Sequence, residues 1–466
     1  VAQLGPRVVV SAIGSGAGKT TVATGLMAAF RRRGLRVASA KVGPDFIDPG
    51  YHAVATGRPG RSLDAWLSGD DLIAPLAADA GEGADILIVE GVMGMFDGSG
   101  QPGVDGSTAD VARRLAAPVV AVVDVWTMAQ SVAAVVHGLR TFDPTVHLAG
   151  VVLNRVAGDG HETLCREALE PLGLPVLGVI GYDPALEWRE RHLGLVPVVE
   201  HRSDVAAAVA RIGELVERAC DLEAMLAVAR AAPTTAVAPL PSAALAGRIR
   251  LGVATGPAFD FVYPENLALF EQAGAELAPF DPLTDRALPD GCDALYLGGG
   301  FPEVFTDELA ANEPLKRAVH DAVAGGMPTW AECGGLLWLC RSLDGRPMVG
   351  VVEARASMTD RLTIGYRQAV TTAPSPLGPA GTVLRGHEFH RSATDPAGDA
   401  LEIEARFGSG RAGFVSPSLF ASYLHQHLSA MPEVAETFVA TAARFAGGAA
   451  DVVTSPANPA GQRSPV

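Results

Sequence analysis

Short runs rich in Val and Ile alternate with stretches of helical spacing through the first half of the chain. The apolar runs fall at 7–13, 36–42, 85–90, 118–124 and 146–153. Buried strands separated by helices predict a mostly parallel sheet with helices on both faces. Ligands on such sheets bind beyond the carboxyl ends of the strands. The pattern then stops: residues 231–247, "AAPTTAVAPLPSAALAG", carry no charge and no period, as a linker would. A second series of apolar runs follows at 248–254, 292–300 and 327–333, again with helical spacers. The pattern therefore predicts an α/β protein of two doubly wound domains. Residues 1–225 form the first, 226–247 a linker and 248–446 the second, and residues 447–466 form a disordered tail.

Composition narrows the classes. A net charge of −16 argues against a protein that binds nucleic acid by neutralising phosphates. No apolar run reaches the roughly 20 residues needed to cross a membrane. The first residues, "VAQLGPRVVV", enter a strand-like run with no signal-peptide core. Five scattered cysteines make no disulfide framework, and a reducing, cytoplasmic setting is expected.

The first run leads into "GSGAGKTT" (14–21) and then a helical pattern. Backbone N–H groups of Gly14, Ser15, Gly16, Ala17 and Gly18 can turn inward around phosphate oxygens at a helix N-terminus. Lys19 would meet the β- and γ-phosphates, Thr20 would ligate Mg²⁺, and Thr21 extends the loop. The match to the usual P-loop is incomplete, because Ile13 stands where the first Gly is usual. "KVGPDFIDPGYH" (41–52) puts Asp45 and Asp48 after the second strand, where Mg²⁺ or a phosphoryl acceptor would lie; a plain Asp/Pro/Gly turn is the structural alternative. Glu90 ends the third run, as a Walker-B carboxylate does. Asn154 ends the fifth and suits either an adenine edge or a turn. Arg189, Arg191 and His192 cluster in "EWRERHLGLV" (187–196), as a solvated helix face or a dock for a polycarboxylate.

In the second half, "AECGGLLWLC" (331–340) holds two cysteines. No further Cys or His sits at metal-ligand spacing nearby, and the separation is too wide for a C-x-x-C redox pair. Burial in an apolar helix accounts for Cys340. Cys333 instead lies between a strand-like run and Gly334-Gly335, in the form of a nucleophile elbow. "ASYLHQHLS" (421–429) supplies His425 and His427 as candidate bases downstream. The glycines of "YLGGGFPEVF" (296–305), Gly299 and Gly300 among them, could combine with the Gly334 N–H in an oxyanion hole.

These residues carry a family resemblance. The second half resembles class I glutamine amidotransferase domains, which are flavodoxin-like. The first resembles P-loop synthetase domains related to dethiobiotin synthetase. Together they look like the cobyrinic acid or hydrogenobyrinic acid a,c-diamide synthase family. The motifs are "GSGAGKTT", "KVGPDFIDPGYH", "VEGVMGMFDG", "LNRV", "ERHLGLV", "FVYPENL" (261–267), "YLGGGFPE", "AECGGL" and "GHEFHRS" (386–392), spread over nearly the whole chain. The resemblance implies a carbon–nitrogen ligase of cobalamin biosynthesis. Glutamine is hydrolysed at Cys333, and ATP activates the a and c acetates of a corrinoid polycarboxylate as carboxyl phosphates for ammonia. It implies Thr20, Asp45 and Glu90 as the Mg²⁺ set, Asn154 on adenine, and His425 rather than His427 as the base. The segment after His425 departs from the general His-Pro-Glu pattern, so no orienting Glu follows it. Cobyric acid synthase and nickel-sirohydrochlorin amidation are neighbouring readings. A partitioning-type ATPase is a reading from another class, but its signature Lys is replaced here by Gly14. A homodimer remains an open arrangement.

Overall fold

A computed structural model of the chain describes residues 2–101, 103–183, 190–191, 194–195 and 202–453. Five of the strands in its first sheet coincide with the apolar runs of the sequence. Across the sheet the order is Arg61–Leu63, Val37–Val42, Ile86–Glu90, Arg7–Ala12, Val119–Asp124, Leu148–Val156 and Val176–Gly181. All neighbours are parallel. Their near-continuous apolar character follows from burial on both faces. One face packs helices Lys19–Arg32, Ile47–Thr56, Arg202–Ala219 and Leu222–Arg230; the other packs Ile73–Ala80, Thr108–Arg114 and Asp159–Leu169.

The linker expectation needs correction at its start. Residues 222–230 are helical, with Leu222, Met225, Leu226 and Ala229 buried in the first core. Helical spacing in "LEAMLAVAR" turns those four side chains to one face. Beyond it, Thr235–Val237 pairs antiparallel with Ala2–Leu4. Arg7, fully buried, donates to the carbonyls of Leu115 and Pro233. Ala243 then packs into the second core, and the Ala244 N–H donates to Glu436. The Ala/Pro stretch is therefore tied to both domains along its length.

The second domain has a six-stranded sheet in the order Ala275–Phe280, Ile249–Ala254, Ala294–Leu297, Thr329–Glu332, Leu419–Ser422, Phe414–Ser416. It is parallel except for the final hairpin. Inserted between its fourth and fifth strands is a mostly antiparallel sheet that the sequence reading did not foresee. It is built on Val352–Thr371, which pairs with Val383–Asp395 and with Leu401–Ala405; the latter pairs in turn with Gly408–Ala412. The expected disordered tail also begins too early, because helix Pro432–Val453 covers its first residues. Residues 454–466 lie outside the described residues.

Two walls join the domains. Tyr366 O–H donates to Asp64 Oδ2 at 2.7 Å, and Tyr263 O–H donates to the Pro44 carbonyl at 3.2 Å. Trp66 of the first domain packs on Tyr366 of the second, ring centroids 4.9 Å apart. No helix among the described residues is long and apolar enough to cross a membrane.

Trp330 is the central side chain of the second core, fully buried among Phe270, Tyr296, Phe420 and Phe438. Trp330→Ala should lower the stability of that domain by about 3–5 kcal/mol, the cost of a large aromatic cavity. Denaturant unfolding followed by circular dichroism would read it. An unchanged second-domain transition would contradict this packing.

Candidate active site

The P-loop owes its shape to three local features. Gly16 and Gly18 take φ of +78° and +97°, conformations that side-chain-bearing residues rarely adopt. A Cβ at Gly18 would also lie 2.3 Å from Asn154 Nδ2. That nitrogen donates to the Ala17 carbonyl at 3.0 Å, so Asn154 buttresses the loop from a strand two places along the sheet. Lys19 Nζ donates to the carbonyls of Gly14 (2.8 Å) and Met93 (2.6 Å). Burial, and then the charge of Lys41, bring the Lys19 ammonium down to about 8 against the pull of nearby carboxylates.

Behind the loop lies a buried ionic knot. Glu90 Oε1 accepts from Thr20 Oγ1 at 2.7 Å and from Lys41 Nζ at 3.1 Å; Oε2 lies 2.6 Å from His52 Nε2. Burial opposes its charge, yet Lys41, His52 and Thr20 together hold Glu90 well below the usual carboxylate range. Lys41 also pairs with Asp48 at 2.7 Å. Burial and the Glu90 charge push Asp48 well up. Asp45 Oδ1 accepts from the Ile47 N–H at 2.8 Å, which starts helix Ile47–Thr56. Among the described residues no three His, Cys, Asp or Glu side chains converge as a metal-ligand cluster. Thr20, Asp45 and Glu90 nonetheless share one cavity wall. Such oxygen donors suit Mg²⁺, which commonly takes one or two carboxylates and fills its shell with phosphate and water.

In the second domain, strand Thr329–Glu332 ends at Cys333, whose φ of +46° and ψ of −99° make a sharp, strained turn into helix Gly334–Leu339. The Cys333 N–H donates to the Ser422 carbonyl at 2.7 Å, and the Leu337 N–H donates to the Cys333 carbonyl. Small residues are required around it. A Cβ at Gly334 would sit 3.0 Å from the Gly300 nitrogen, and one at Gly299 2.3 Å from His425 Cε1. The Gly299 N–H is committed to the Phe261 carbonyl at 3.1 Å, which corrects its expected part in an oxyanion hole. Gly300 and Gly334 meet at the turn.

His425 is buried beside Cys333. Burial disfavours its charge, but the Cys333 sulfur and the Glu332 carboxylate overcome this and lift the imidazole to about 10. Its Nδ1 lies 3.8 Å from Glu332 Oε2 and is hydrogen-bonded to no group among the described residues. His427 turns elsewhere: it packs on Tyr263 (centroids 4.8 Å) and its Nε2 lies 3.8 Å from Glu265. Asn266, from "FVYPENL", fixes the segment by donating to the Gln426 carbonyl at 2.6 Å and accepting from the Leu428 N–H at 2.8 Å.

The sequence reading missed two residues here. Glu332 supplies a carboxylate from the strand before the cysteine, where the residues after His425 lack one. Its signal was a charged residue at the end of an otherwise apolar run. Phe46 lies between Asp45 and Ile47 in the first domain, yet its ring packs on Tyr263 (4.4 Å), His425 (4.9 Å) and Phe261 (5.4 Å). Only the fold reveals that contact. One cavity of about 1380 Å³ is lined by Ser15, Lys19, Thr20, Asp45, Asp48, Glu90 and Asn154 and also by His425. Arg189 and His192 lie outside the described residues; Arg191 is in the two-residue strand Glu190–Arg191.

Comparison with known proteins agrees with this geometry. Residues 8–196 match the CobQ/CobB/MinD/ParA nucleotide binding domain, and residues 250–432 match the CobB/CobQ-like glutamine amidotransferase domain. A hydrogenobyrinate a,c-diamide synthase of Streptomyces coelicolor is 49% identical over 93% of this chain and 97% of its own. That of Thermobifida fusca is 45% identical over 93% and 96%. A cobyrinate a,c-diamide synthase of Syntrophotalea carbinolica is 41% identical over 93% and 98%. The chain belongs to the hydrogenobyrinate and cobyrinate a,c-diamide synthase family. In this member of the family, an ATP-dependent, glutamine-using ligase, His425 beside the amidotransferase turn and the nucleotide-binding loop line the same cavity.

Glu332→Gln removes a charge that raises the His425 pKa. The His425 titration, followed by NMR of the labelled imidazole, should therefore move to lower pH than about 10. A midpoint that stays in place would mean that Cys333 alone sets it.

Proposed function

We propose that the protein amidates the a and c acetate carboxylates of hydrogenobyrinic acid or cobyrinic acid, with glutamine as nitrogen donor and ATP as driving force. The observation that carries this is the single cavity bordered by both Lys19 and His425. A shared cavity supports passage of ammonia between the half-reactions. The names of the relatives support the acceptor.

In this reading the thiol proton has already passed to His425, which the site keeps charged; Cys333 Sγ attacks the glutamine carboxamide, and His425 delivers that proton to departing ammonia. Water then hydrolyses the thioester to glutamate. The N–H groups of Gly300 and Gly334 hold the oxyanion. Glu332 steers His425 and stabilises its charged form; it acts through the imidazole. Across the cavity, Lys19 and the N–H groups of residues 14–21 hold the ATP phosphates. Mg²⁺, bound through Thr20, Asp45 and Glu90, would supply positive charge to those phosphates. An acceptor carboxylate takes the γ-phosphoryl group, ammonia displaces phosphate, and an amide, ADP and phosphate result. The carboxylate needs this activation because its oxygen is too poor a leaving group for ammonia. Asp48 borders the acceptor side. Asn154 acts first as a strut for the loop, supporting adenine binding indirectly. A cytoplasmic location is supported by the five free cysteines and the need for ATP.

Two nitrogen donors separate the half-sites. Cys333→Ala should abolish glutamine-dependent amidation while retaining amidation with ammonium salt, read by mass spectrometry of the ring. Lys19→Ala should lose both by at least about a hundredfold, the scale of losing charge stabilisation on a phosphoryl group. Cys340→Ala should keep both, because its thiol is buried in the apolar core where strand Cys340–Leu343 follows the helix. Loss of ammonium-driven product in a folded Cys333→Ala protein would overturn the two-site assignment.

A further inference from the structure

The antiparallel insert of the second domain presents an unusual surface to the cavity. Strand Val352–Thr371 loses register with Val383–Asp395 between Met358 and Thr363, where four residues face one. Bulges of this kind re-aim side chains near functional sites. This one is pinned, since Arg391 Nη1 donates to the Asp360 carbonyl at 2.7 Å. It carries Arg361 and Leu362 into the cavity wall, with Ile364 beside them. The second feature is the two-residue turn between Leu401–Ala405 and Gly408–Ala412. Hairpin geometry at such a turn favours Asn, Asp or Gly. Here it is Arg406-Phe407, and Phe407 is 90% exposed with the Arg406 guanidinium 5.0 Å from its ring centroid. Arg361 and Arg406 form no ion pair among the described residues, in a chain of net charge −16.

Leu362, Ile364 and Phe407 are three of the few large apolar side chains left exposed, and all three line this cavity. Exposed apolar side chains gathered on one wall mark a binding surface. The cavity, at about 1380 Å³, also exceeds the roughly 300–1,000 Å³ of ordinary small-molecule pockets. It has room for a nucleotide and a second large ligand. We infer that the bulge at 359–362 and the turn at 406–407 form the seat of the acceptor: apolar side chains lie against the face of a planar macrocycle, and Arg361 and Arg406 pair with carboxylates on its rim. The seat belongs to the amidotransferase domain, opposite the P-loop, so the ring is held between the domains with one edge toward Asp45 and Asp48. This rests on the functional reading above.

The test uses the full chain with Mg-ATP, glutamine and hydrogenobyrinic or cobyrinic acid as probe. Phe407→Ser and the double variant Arg361→Ala/Arg406→Ala should each raise the KM for the ring by about tenfold or more, the scale of one buried aromatic face or one charge-assisted pair. KM for glutamine and ATP, and glutaminase activity, should stay within about twofold of the parent on the same scale. The parent's ring KM should rise with added salt, and that dependence should flatten in the arginine variant. These side chains are exposed, and circular dichroism would verify folding. A parent that amidates the ring while both variants keep its KM and salt dependence would overturn the seat. A parent that amidates neither ring would overturn the functional reading instead.

Discussion

Phe46 belongs to one site by sequence and to another by contact. It sits between Asp45 and Ile47 on the synthetase side, and its ring rests on His425, Tyr263 and Phe261 of the amidotransferase domain. The apolar wedge forces the two halves to share a wall, so that neither cavity lining is complete without the other domain. The polar bonds around it, from Tyr263 to Pro44 and Tyr366 to Asp64, keep that wedge in register. An Ala/Pro linker pinned to both cores reinforces the same arrangement. The chemistry needs this, because ammonia released into open solvent is lost to the acceptor.

The two sites solve opposite electrostatic problems. Around Glu90, burial would neutralise a carboxylate, and Lys41, His52 and Thr20 keep it charged. Around His425, burial would neutralise an imidazole, and the cysteine sulfur with Glu332 keep it charged. Each case follows the rule that a buried charge survives only beside its partner. The strained φ of Cys333 belongs to the same economy of form: the elbow sets the buried cysteine at a sharp turn while the flanking glycines let His425 and Gly300 approach.

Much of this was legible in the sequence because it is local. Apolar runs marked the parallel strands, since a strand buried on both faces leaves no alternation to misread. "GSGAGKTT" and "AECGGL" marked their turns, since glycine is needed where backbone must bend or approach closely. What was not legible depends on distant residues. The antiparallel insert was missed because alternation in its long strand is clear only over 352–357, where two of the three buried residues are alanines with little apolar signal. The helix Leu222–Arg230 was read partly as linker because its alanines carry little periodic signal. Glu332 could be seen as a charge ending a strand, but its approach to His425 depends on strand Leu419–Ser422 lying alongside. Gly299 looked like an oxyanion donor until its bridge to Phe261 occupied the N–H.

The central claim is that ammonia crosses from Cys333 to the acceptor inside the protein. The direct measurement supplies glutamine labelled with ¹⁵N at the amide and, in solution, unlabelled ammonium in large excess over the ammonia released, at a concentration that sustains only slow turnover by itself. Mass spectrometry of the diamide then gives the source of each nitrogen. Internal transfer predicts product that keeps the glutamine label undiluted. Label diluted toward the composition of the bulk solution would mean that ammonia leaves the protein before it reacts, and the shared cavity would not be its route.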